Sequence, residues 1–299
     1  MHYDTKFKDK PAICIESSNL RATFLPEDGG KMASLQVIDT GKELLAVKPN
    51  KEYKTLTYKG SYVDSECSGF DDMFPTIDPY TSEEGEYKGI TYPDHGEVCR
   101  LPFEVMESDG VIRMVCLSKQ FRISYEKVIC PQQDSICIIY SISNFGKEDF
   151  PFLWAGHIML RGEAGMRLFS PYREDSPTEL MFGPKNKDMS MLSKDRLGEF
   201  QADGEAYKFY YLEPMDKGKF GIEYPDGSNL IFRIDETKVP YLGVWMNNGS
   251  FQDIHTITPE PCTIPYDAPD KAKEKGYVSM IPAGNSFTFT LEIQWTPAI

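Results

Sequence analysis

The chain has 299 residues, 40% of them hydrophobic, and its 46 acidic and 32 basic residues give a formal net charge of −14 at pH 7. So negative a protein binds a nucleic acid backbone or an anionic membrane unfavourably, and we expect neither as a partner. No apolar run approaches the length of a transmembrane helix, and the first residues lack the apolar segment of a secretory signal peptide. Composition therefore favours a globular cytoplasmic protein with a neutral partner.

Metal and nucleotide chemistry find little support in the motifs. The seven cysteines are scattered without the paired or Cys/His spacing of a zinc site, which also argues against a disulfide framework. Asp71, Asp72 and Asp78 have cation-binding side chains, but their spacing is not that of a calcium loop. The chain has no Gly-rich phosphate loop, no GxSxG elbow and no HExxH motif. We therefore expect no metal site.

The first half of the chain contains a long polar segment followed by strands. Residues 64–97 are rich in Gly, Pro, Asp and Tyr, and we expect them to form a long excursion over a sheet. Apolar residues then occupy every second position in 121–125 and in 136–142, with turn-forming residues at 131–134. This pattern predicts antiparallel strands, each with one buried and one solvated side.

The second half continues the same rhythm. Residues 189–197 are ambiguous between helix and loop, whereas 220–224 and 230–234 predict a hairpin around a polar connection. Residues 270–275, ended by Gly276, predict one or two helical turns. The last strand is predicted at 286–295, where apolar and polar residues alternate without a break.

These elements predict an all-β fold. Many short strands, frequent turns and no long amphipathic helix favour a large antiparallel β-sandwich with few short helices. The chain has no internal repeat and no low-complexity linker, so we expect residues 1–299 to form a single domain.

Two histidines are candidates for chemistry. His157 lies in the apolar segment 152–160, where a buried imidazole needs a hydrogen-bonding partner, and the alternative is a core histidine bonded to a carbonyl. His95 lies in a Pro- and Gly-containing loop close to Arg100, whose guanidinium can bind hydroxyl or carboxylate oxygens. For His95 the alternative is a charged surface turn.

A carboxylate and an indole complete the candidates. Glu260 is flanked by two prolines, which restrict its backbone strongly. A rigid carboxylate near apolar surface has its pKa raised by desolvation, as a general base near neutral pH requires, although an exposed Glu in a rigid loop is equally consistent with the pattern. Trp245 offers a face on which the C–H groups of a sugar can stack, or it packs in the core.

The order of these segments along the chain resembles that of a known superfamily. The matching segments are residues 25–35 with paired glycines, 71–77 (DDMFPTI), His95-Gly96 with Arg100, 154–157 (WAGH), 241–245 (YLGVW) with Glu260-Pro261, and 281–286 (IPAGNS). The series is similar to the galactose mutarotase-like superfamily, in particular its aldose 1-epimerase and hexose-phosphate mutarotase branches. Two features depart from it: Gly-His-Ile-Met replaces Asn-His-x-Tyr-Phe around His157, and residues 78–92 resemble an insertion.

The resemblance implies an isomerase that needs no cofactor and acts on a small-molecule sugar, a hexose or a related aldose. It implies that Glu260 removes the proton of the anomeric hydroxyl while His157 protonates the ring oxygen, so that the ring opens and closes again on the other face. It also implies that His95 and Arg100 bind sugar hydroxyls, and that Asp72 and Trp245 orient the sugar.

Two other functions remain open at this point: a non-catalytic carbohydrate-binding or regulatory protein, and an enzyme that cleaves glycosidic bonds with a carboxylate pair. The sequence also leaves open which sugar is used, whether it is phosphorylated, and whether the protein is a monomer or a homodimer. We expect His157 and Glu260 to project into one polar cleft on a concave sheet face.

Overall fold

The computed structural model describes residues 2–108, 110–173, 175–183 and 205–298. Within these residues two large antiparallel sheets account for most of the strands, which are numbered here in chain order. The larger sheet contains β1 (His2–Phe7), β2 (Lys10–Glu16), β3 (Leu20–Leu25), β4 (Lys31–Val37), β5 (Phe70–Met73), β13 (Ala155–Ile158), β14 (Leu160–Arg161), β16 (Thr178–Phe182), β17 (Ala206–Tyr211), β20 (Tyr241–Asn248) and β21 (His255–Cys262). Its spatial order is β1-β2-β3-β4-β5-β13-β21-β20-β17-β16, with β14 beside β21.

The smaller sheet has the spatial order β15-β18-β19-β23-β11-β10-β9-β8. Its strands are β8 (Glu104–Ser108), β9 (Val111–Leu117), β10 (Ile123–Pro131), β11 (Ser135–Asn144), β15 (Arg167–Phe169), β18 (Lys219–Glu223), β19 (Asn229–Ile234) and β23 (Ser286–Thr296). Two short ribbons, β6 (Tyr80–Thr81) with β7 (Thr91–Tyr92) and β12 (Phe150–Pro151) with β22 (Met280–Ile281), lie outside both sheets, as do a 3-10 turn (Val98–Arg100) and a short helix (Pro269–Glu274).

The two sheets enclose one apolar core, because each contributes the buried half of its alternating strands. Strand β23, for example, buries Phe289, Leu291, Ile293 and Trp295 and leaves the residues between them more accessible. Trp154 is the largest fully buried side chain, and its indole N–H donates to the hydroxyl of Tyr125 at 2.8 Å across the core. The predicted all-β sandwich is confirmed.

Most of the predicted elements are present where the alternation placed them. Strands β10 and β11 pair around the turn at 131–134, β18 and β19 form the predicted hairpin, and β23 covers 286–295. The short helix begins one residue earlier than predicted and ends at Glu274. Residues 189–197 lie outside the described residues.

Two expectations about loops are wrong. Residues 64–97 are not only an excursion, since Phe70–Met73 forms β5, a strand inside the larger sheet with all four residues buried. Glu260 lies within strand β21 and is not in a loop, although Pro259 and Pro261 flank it. Prolines lower the expectation of an interior strand because they cannot donate to a ladder. Here β21 accommodates both prolines between its neighbouring strands, and its pairing with β13 and β14 is interrupted between Cys262 and Ile257.

The paired glycines of residues 29–30 make the turn between β3 and β4. Both have positive φ, 74° for Gly29 and 56° for Gly30, a backbone conformation that side chains disfavour. A Cβ on Gly29 would lie 2.6 Å from the Cα of Cys99, so this turn packs directly against the segment that precedes Arg100.

No helix among the described residues is long and apolar enough to cross a membrane.

Candidate active site

His157 and Glu260 lie side by side on one face of the larger sheet. The pair Ala155 with Cys262 sets the register between β13 and β21, and two residues further along each strand this register brings His157 level with Glu260. Residues directly opposite each other in a sheet point to the same face. Their side chains accordingly meet, with Nε2 of His157 3.6 Å from Oε1 of Glu260.

This face is the one directed away from the smaller sheet. Asp71 on β5 is opposite His157, while the next residue, Asp72, is opposite Gly156 and points to the other side. Asp72 forms an ion pair of 2.7 Å with Lys127 on β10, so its side of the sheet is the inter-sheet core. His157, Glu260 and Asp71 therefore belong to the outer face, beneath the loops that cross it.

The prolines open the sheet between β13 and β21 beside these side chains. Ala155 pairs with Cys262, and pairing resumes at Leu160 with Ile257, now from β14. Between these points β21 contains Pro259 and Pro261, which have no N–H to donate. The residue pattern that obscured the strand thus creates an interruption in the ladder where His157 and Glu260 face each other.

His157 and Glu260 are buried, and polar atoms of both lack partners. Only 9% of the His157 side chain is exposed and none of that of Glu260. Among the described residues, neither Nδ1 of His157 nor Oε1 of Glu260 has a hydrogen-bond partner. A buried polar atom left unpaired costs about 1–3 kcal/mol, so this position favours a ligand or water that supplies the missing bonds.

Burial moves the proton affinities of the two groups in opposite directions. Desolvation raises the pKa of Glu260, an effect that exceeds the lowering by the charge of Lys208. Desolvation lowers the pKa of His157 well below its usual value, and the positive charges of Lys208 and Lys31 act in the same direction. Burial thus favours the uncharged form of each group when no ligand is present.

A buried lysine lies on the other side of Glu260. The ammonium Nζ of Lys208, on β17, is 2.8 Å from Oε2 of Glu260 and 2.7 Å from Oδ1 of Asp267. The hydroxyl of Tyr210, on the same face of the same strand, donates to Oδ1 of Asp267 at 2.8 Å. Burial opposes the charge of Lys208, but the two carboxylates outweigh it and raise its pKa. For Asp267 the ammonium likewise outweighs burial, and its pKa is lowered.

Gly243 makes room for this arrangement. It is opposite Glu260 on one side and opposite Tyr210 on the other. A Cβ at this position would lie 2.6 Å from Cε1 of the Tyr210 ring, so the ring occupies the space that a side chain would fill. The absence of a side chain at Gly243 therefore allows the Tyr210 ring to lie there while its hydroxyl bonds to Asp267.

His95 joins the site through Tyr62. The two rings stack with centroids 4.1 Å apart and planes 9° from parallel, and the hydroxyl of Tyr62 donates to Asp71 at 2.8 Å. The ring of His157 stands edge-on to both, at 6.0 Å from Tyr62 and 6.1 Å from His95. Asp94 binds Nδ1 of His95 at 2.8 Å. The structure thus brings His95 next to His157, while its binding of sugar hydroxyls stays a prediction.

The loop that presents His95 has an uncommon backbone. His95 has φ 57° and Gly96 has φ 78°. A Cβ on Gly96 would lie 2.4 Å from the carbonyl oxygen of Phe74, so this loop packs closely against the end of β5. A non-glycine residue at positive φ persists where its surroundings hold it, and such residues concentrate at functional sites.

Arg100 does not contact the site directly. Its guanidinium donates to the backbone carbonyls of Gly96 (2.9 Å), Gly60 (2.6 Å), Thr57 and Tyr58 (both 3.3 Å) and Asp94. The side chain is buried and fastens residues 57–60 to the His95 loop. The expectation that Arg100 binds sugar hydroxyls is therefore corrected: its donors are directed at backbone carbonyls, and its contribution is to hold the loop.

Asp72 is the second correction. It is 2% exposed and faces the core between the sheets, where its carboxylate is paired with the ammonium of Lys127 at 2.7 Å. Strand alternation explains the discrepancy, because the neighbouring Asp71 is the residue that shares the face of His157. Asp71 in turn binds Lys31 at 3.0 Å.

Trp245 lies one row away from Glu260 on the same face. It is opposite Lys208 on β17 and opposite Thr258 on β21. The centroid of its half-buried ring is 5.6 Å from that of Phe182 and 5.5 Å from that of Phe251. These two phenylalanine side chains are 48% and 42% exposed. Trp245 is thus at the accessible margin of the site, where its role in orienting a sugar stays a prediction.

The expectation that both side chains project into one polar cleft is not confirmed. His157 and Glu260 share a face, but Glu260 has no exposed surface. The 3.6 Å between Nε2 of His157 and Oε1 of Glu260 leaves no room for a further group between these two atoms.

Four residues of the site were missed from the sequence: Lys208, Asp267, Tyr62 and Asp71, whose neighbour Asp72 was chosen instead. Lys208 had the clearest signal, since it is the only charged residue in the aromatic strand 206–211 (AYKFYY), and a lysine in a buried strand requires acidic partners. Asp267 and Tyr62 lie in loop segments, where no periodic pattern indicates which way a side chain points.

Solved structures with this fold include several sugar-related proteins. A galactose mutarotase-like protein from Clostridium acetobutylicum is 14% identical with a TM-score of 0.73, and the match covers 99% of this chain and 98% of that one. An aldose 1-epimerase candidate from Klebsiella pneumoniae is 17% identical with a TM-score of 0.73, covering 98% and 82%. A galactose mutarotase-like protein from Lactobacillus casei is 17% identical with a TM-score of 0.66, covering 95% and 100%.

The chain therefore has the galactose mutarotase-like fold that its ordered motifs resemble. At these identities the likeness concerns the fold, and function has to be argued from the site. No protein-family model matches the chain, and no curated protein is similar to it in sequence.

Proposed function

We propose that this protein is an aldose 1-epimerase-type isomerase that interconverts the α and β anomers of a hexose or a related sugar. The observation that supports this most strongly is the buried pair of an imidazole and a carboxylate, 3.6 Å apart on one sheet face, each with an unpartnered polar atom. A sugar offers at its anomeric centre a hydroxyl and a ring oxygen, the donor and acceptor that such a pair can bind.

In the proposed reaction Glu260 accepts the proton of the anomeric hydroxyl, and His157 delivers a proton to the ring oxygen as the ring C–O bond breaks. The open-chain aldehyde rotates about its C1–C2 bond, and the ring closes on the other face as His157 takes back the proton from the ring-oxygen hydroxyl and Glu260 returns its proton to the new anomeric oxygen. The raised pKa of Glu260 suits a base that works near neutral pH.

His157 must carry a proton to act as an acid, although burial favours its neutral form when the site is empty. We propose that it takes up this proton when the sugar is bound. His95, Tyr62 and Trp245 surround the proposed sugar position, and no cofactor takes part in the steps.

The test is to measure the rate of anomer exchange by exchange NMR on a panel of aldoses. We expect the wild type to accelerate exchange of at least one aldose, and Glu260→Gln and His157→Gln each to lower kcat by about 10²–10⁴-fold, the usual contribution of a general acid or base. The matched control is Glu83→Gln, at an exposed position in another loop, which should keep the wild-type rate.

Two other outcomes lead to other functions. Sugar binding without acceleration of exchange, unaltered by Glu260→Gln, identifies a carbohydrate-binding protein. Release of shorter products from an oligosaccharide panel identifies a cleaving enzyme. Either result contradicts the isomerase proposal.

A further inference from the structure

We propose that Lys208 and Asp267 are positioning residues that jointly set how readily Glu260 takes up a proton: Lys208 favours the carboxylate form and Asp267 opposes it. This inference deepens the proposed function and rests on Glu260 being its base. It assigns a role to two residues that the reaction above does not use.

The geometry shows one ammonium shared between two carboxylates. Nζ of Lys208 is 2.8 Å from Glu260 and 2.7 Å from Asp267, and all three side chains have low exposure, from 0% for Glu260 to 12% for Asp267. A lysine paired with Glu260 alone would hold that carboxylate firmly in its charged form. Sharing the lysine weakens this hold, because the second carboxylate competes for the same ammonium and repels the first.

The structure keeps Asp267 in this competing position. Its carboxylate accepts the hydroxyl of Tyr210 in addition to Lys208, and its backbone carbonyl accepts the N–H groups of Ile77 and Asp78 at 2.9 and 2.7 Å. The preceding residue, Tyr266, has φ 77°, a conformation disfavoured for a bulky side chain. Contacts of both its side chain and its backbone thus fix the position of Asp267, which does not depend on Lys208 alone.

The net charge of these three groups changes when Glu260 is protonated, which matters for catalysis. With Glu260 ionised the three groups carry one positive and two negative charges, a net charge of −1. When Glu260 accepts the proton of the sugar, Lys208 and Asp267 remain as a neutral ion pair. Lys208 therefore has a charged carboxylate partner both before and after the proton transfer. Glu260 consequently changes charge without leaving a buried ammonium unpaired, which would be strongly unfavourable.

Other groups that act on Glu260 are the same in every variant of the test. His157 faces it from β13 and Tyr210 from β17, Cys262 follows it on β21, and His95 acts from the loop beside Tyr62. The test substitutes none of these four residues, and Asn at position 267 keeps a side-chain oxygen that can accept the hydroxyl of Tyr210.

The experiment follows the Glu260 carboxyl by ¹³C NMR in protein labelled at the glutamate side chains, with the signal assigned by its loss in Glu260→Gln. We expect the titration midpoint to rise by at least about one pH unit in Lys208→Met and to fall by a similar amount in Asp267→Asn, a tenfold change in proton affinity in each case. The exposed Lys88→Met is the matched control and should leave the midpoint unchanged.

If Lys208→Met does not fold, Asp267→Asn decides alone, because a merely structural Asp267 predicts no fall in the midpoint. Midpoints that stay within a few tenths of a unit, or that move in the same direction in both variants, overturn the inference. In active protein the acid limb of kcat/KM should follow the midpoint in each variant.

The two proposals fail separately. The NMR titration needs no sugar, so it gives its answer even if no aldose is isomerised. If exchange is lost in Glu260→Gln while neither substitution moves the midpoint, the isomerase stands and the role of Lys208 and Asp267 does not.

Discussion

At the scale of single residues, the site depends on which side chains are missing as much as on which are present. Gly243 faces Glu260 and leaves the space that the ring of Tyr210 occupies on its way to Asp267. Gly156 likewise has no side chain to meet Trp154 and Pro261, so the strand that presents His157 lies close to the core. Glycine at these two positions thus leaves room for the side chains of Tyr210, Trp154 and Pro261.

Gly243→Ala should therefore destabilise the protein and disturb the site together. Its new Cβ would lie 2.6 Å from the Tyr210 ring, and overpacking of this kind typically costs about 1–3 kcal/mol. Denaturant unfolding measures the loss. The matched control is a double-mutant cycle with Tyr210→Ala, in which the cost of adding the Cβ should largely disappear. A cost that persists in the absence of the ring contradicts this explanation.

Single residues could be singled out from the sequence where one side chain had an unusual context. A histidine in an apolar strand and a glutamate between prolines were recognisable, and the structure places them 3.6 Å apart. Asp72 was chosen where Asp71 faces the site, because two adjacent aspartates cannot be told apart until the face of the strand is known. The same limitation applies to Arg100, whose acceptors are backbone carbonyls 40 or more residues away at Thr57 and Gly60.

At the scale of elements, the loops over the larger sheet are tied to one another. Arg100 joins residues 57–60 to the His95 loop, and residues 76–78 join that loop to Asp267 through backbone hydrogen bonds. Buried hydrogen bonds therefore hold the loops around the site together. The loss of one such side chain leaves several backbone groups without hydrogen-bond partners at once.

Arg100→Met should consequently lower stability even when no sugar is present. Hydrogen bonds to charged groups contribute about 1.5–3 kcal/mol each on removal, and here one side chain serves five carbonyls, so we expect a loss of at least about 3 kcal/mol in denaturant unfolding. Arg113→Met is the control, because Arg113 is exposed and its solvent-screened ion pair with Glu126 should contribute far less than the buried contacts of Arg100. Equal effects of the two substitutions would contradict the supporting role of Arg100.

Strand prediction worked where alternation was regular and failed where it was not. Strand β23 has eleven residues with one face buried, and such a segment leaves little choice of structure. Strand β5 has four residues, all buried, inside a polar segment, and so short an element has no periodicity to detect. Strand β21 was hidden by its prolines, which are also what opens the ladder beside His157.

At the scale of the whole molecule, the two sheets form a sandwich and the proposed site lies on one outer face. The ion pair of Asp72 with Lys127 joins the two sheets through the core, whereas Asp71, one residue away, belongs to the site. Architecture was predictable from sequence because it depends on pattern repeated over many strands. The pairing of Lys208 with Asp267 was not, because it depends on how a strand and a loop 59 residues apart meet in space.

The burial of Glu260 follows from the same organisation. Glu260 is fully buried in a sheet whose strands are fixed by their neighbours, so the proposed binding of a sugar requires movement of side chains and of the loops that cover the outer face. In the proposed complex each of the two groups would contact the sugar in place of the other.

The most direct test of the central claim is a crystal structure with a bound aldose. The account predicts that the anomeric centre lies between His157 and Glu260, with the anomeric hydroxyl at hydrogen-bond distance from the carboxylate and the ring oxygen at hydrogen-bond distance from Nε2. The distance of 3.6 Å between Nε2 and Oε1 should increase to make room. A sugar bound elsewhere, with these two side chains still in contact, would contradict it.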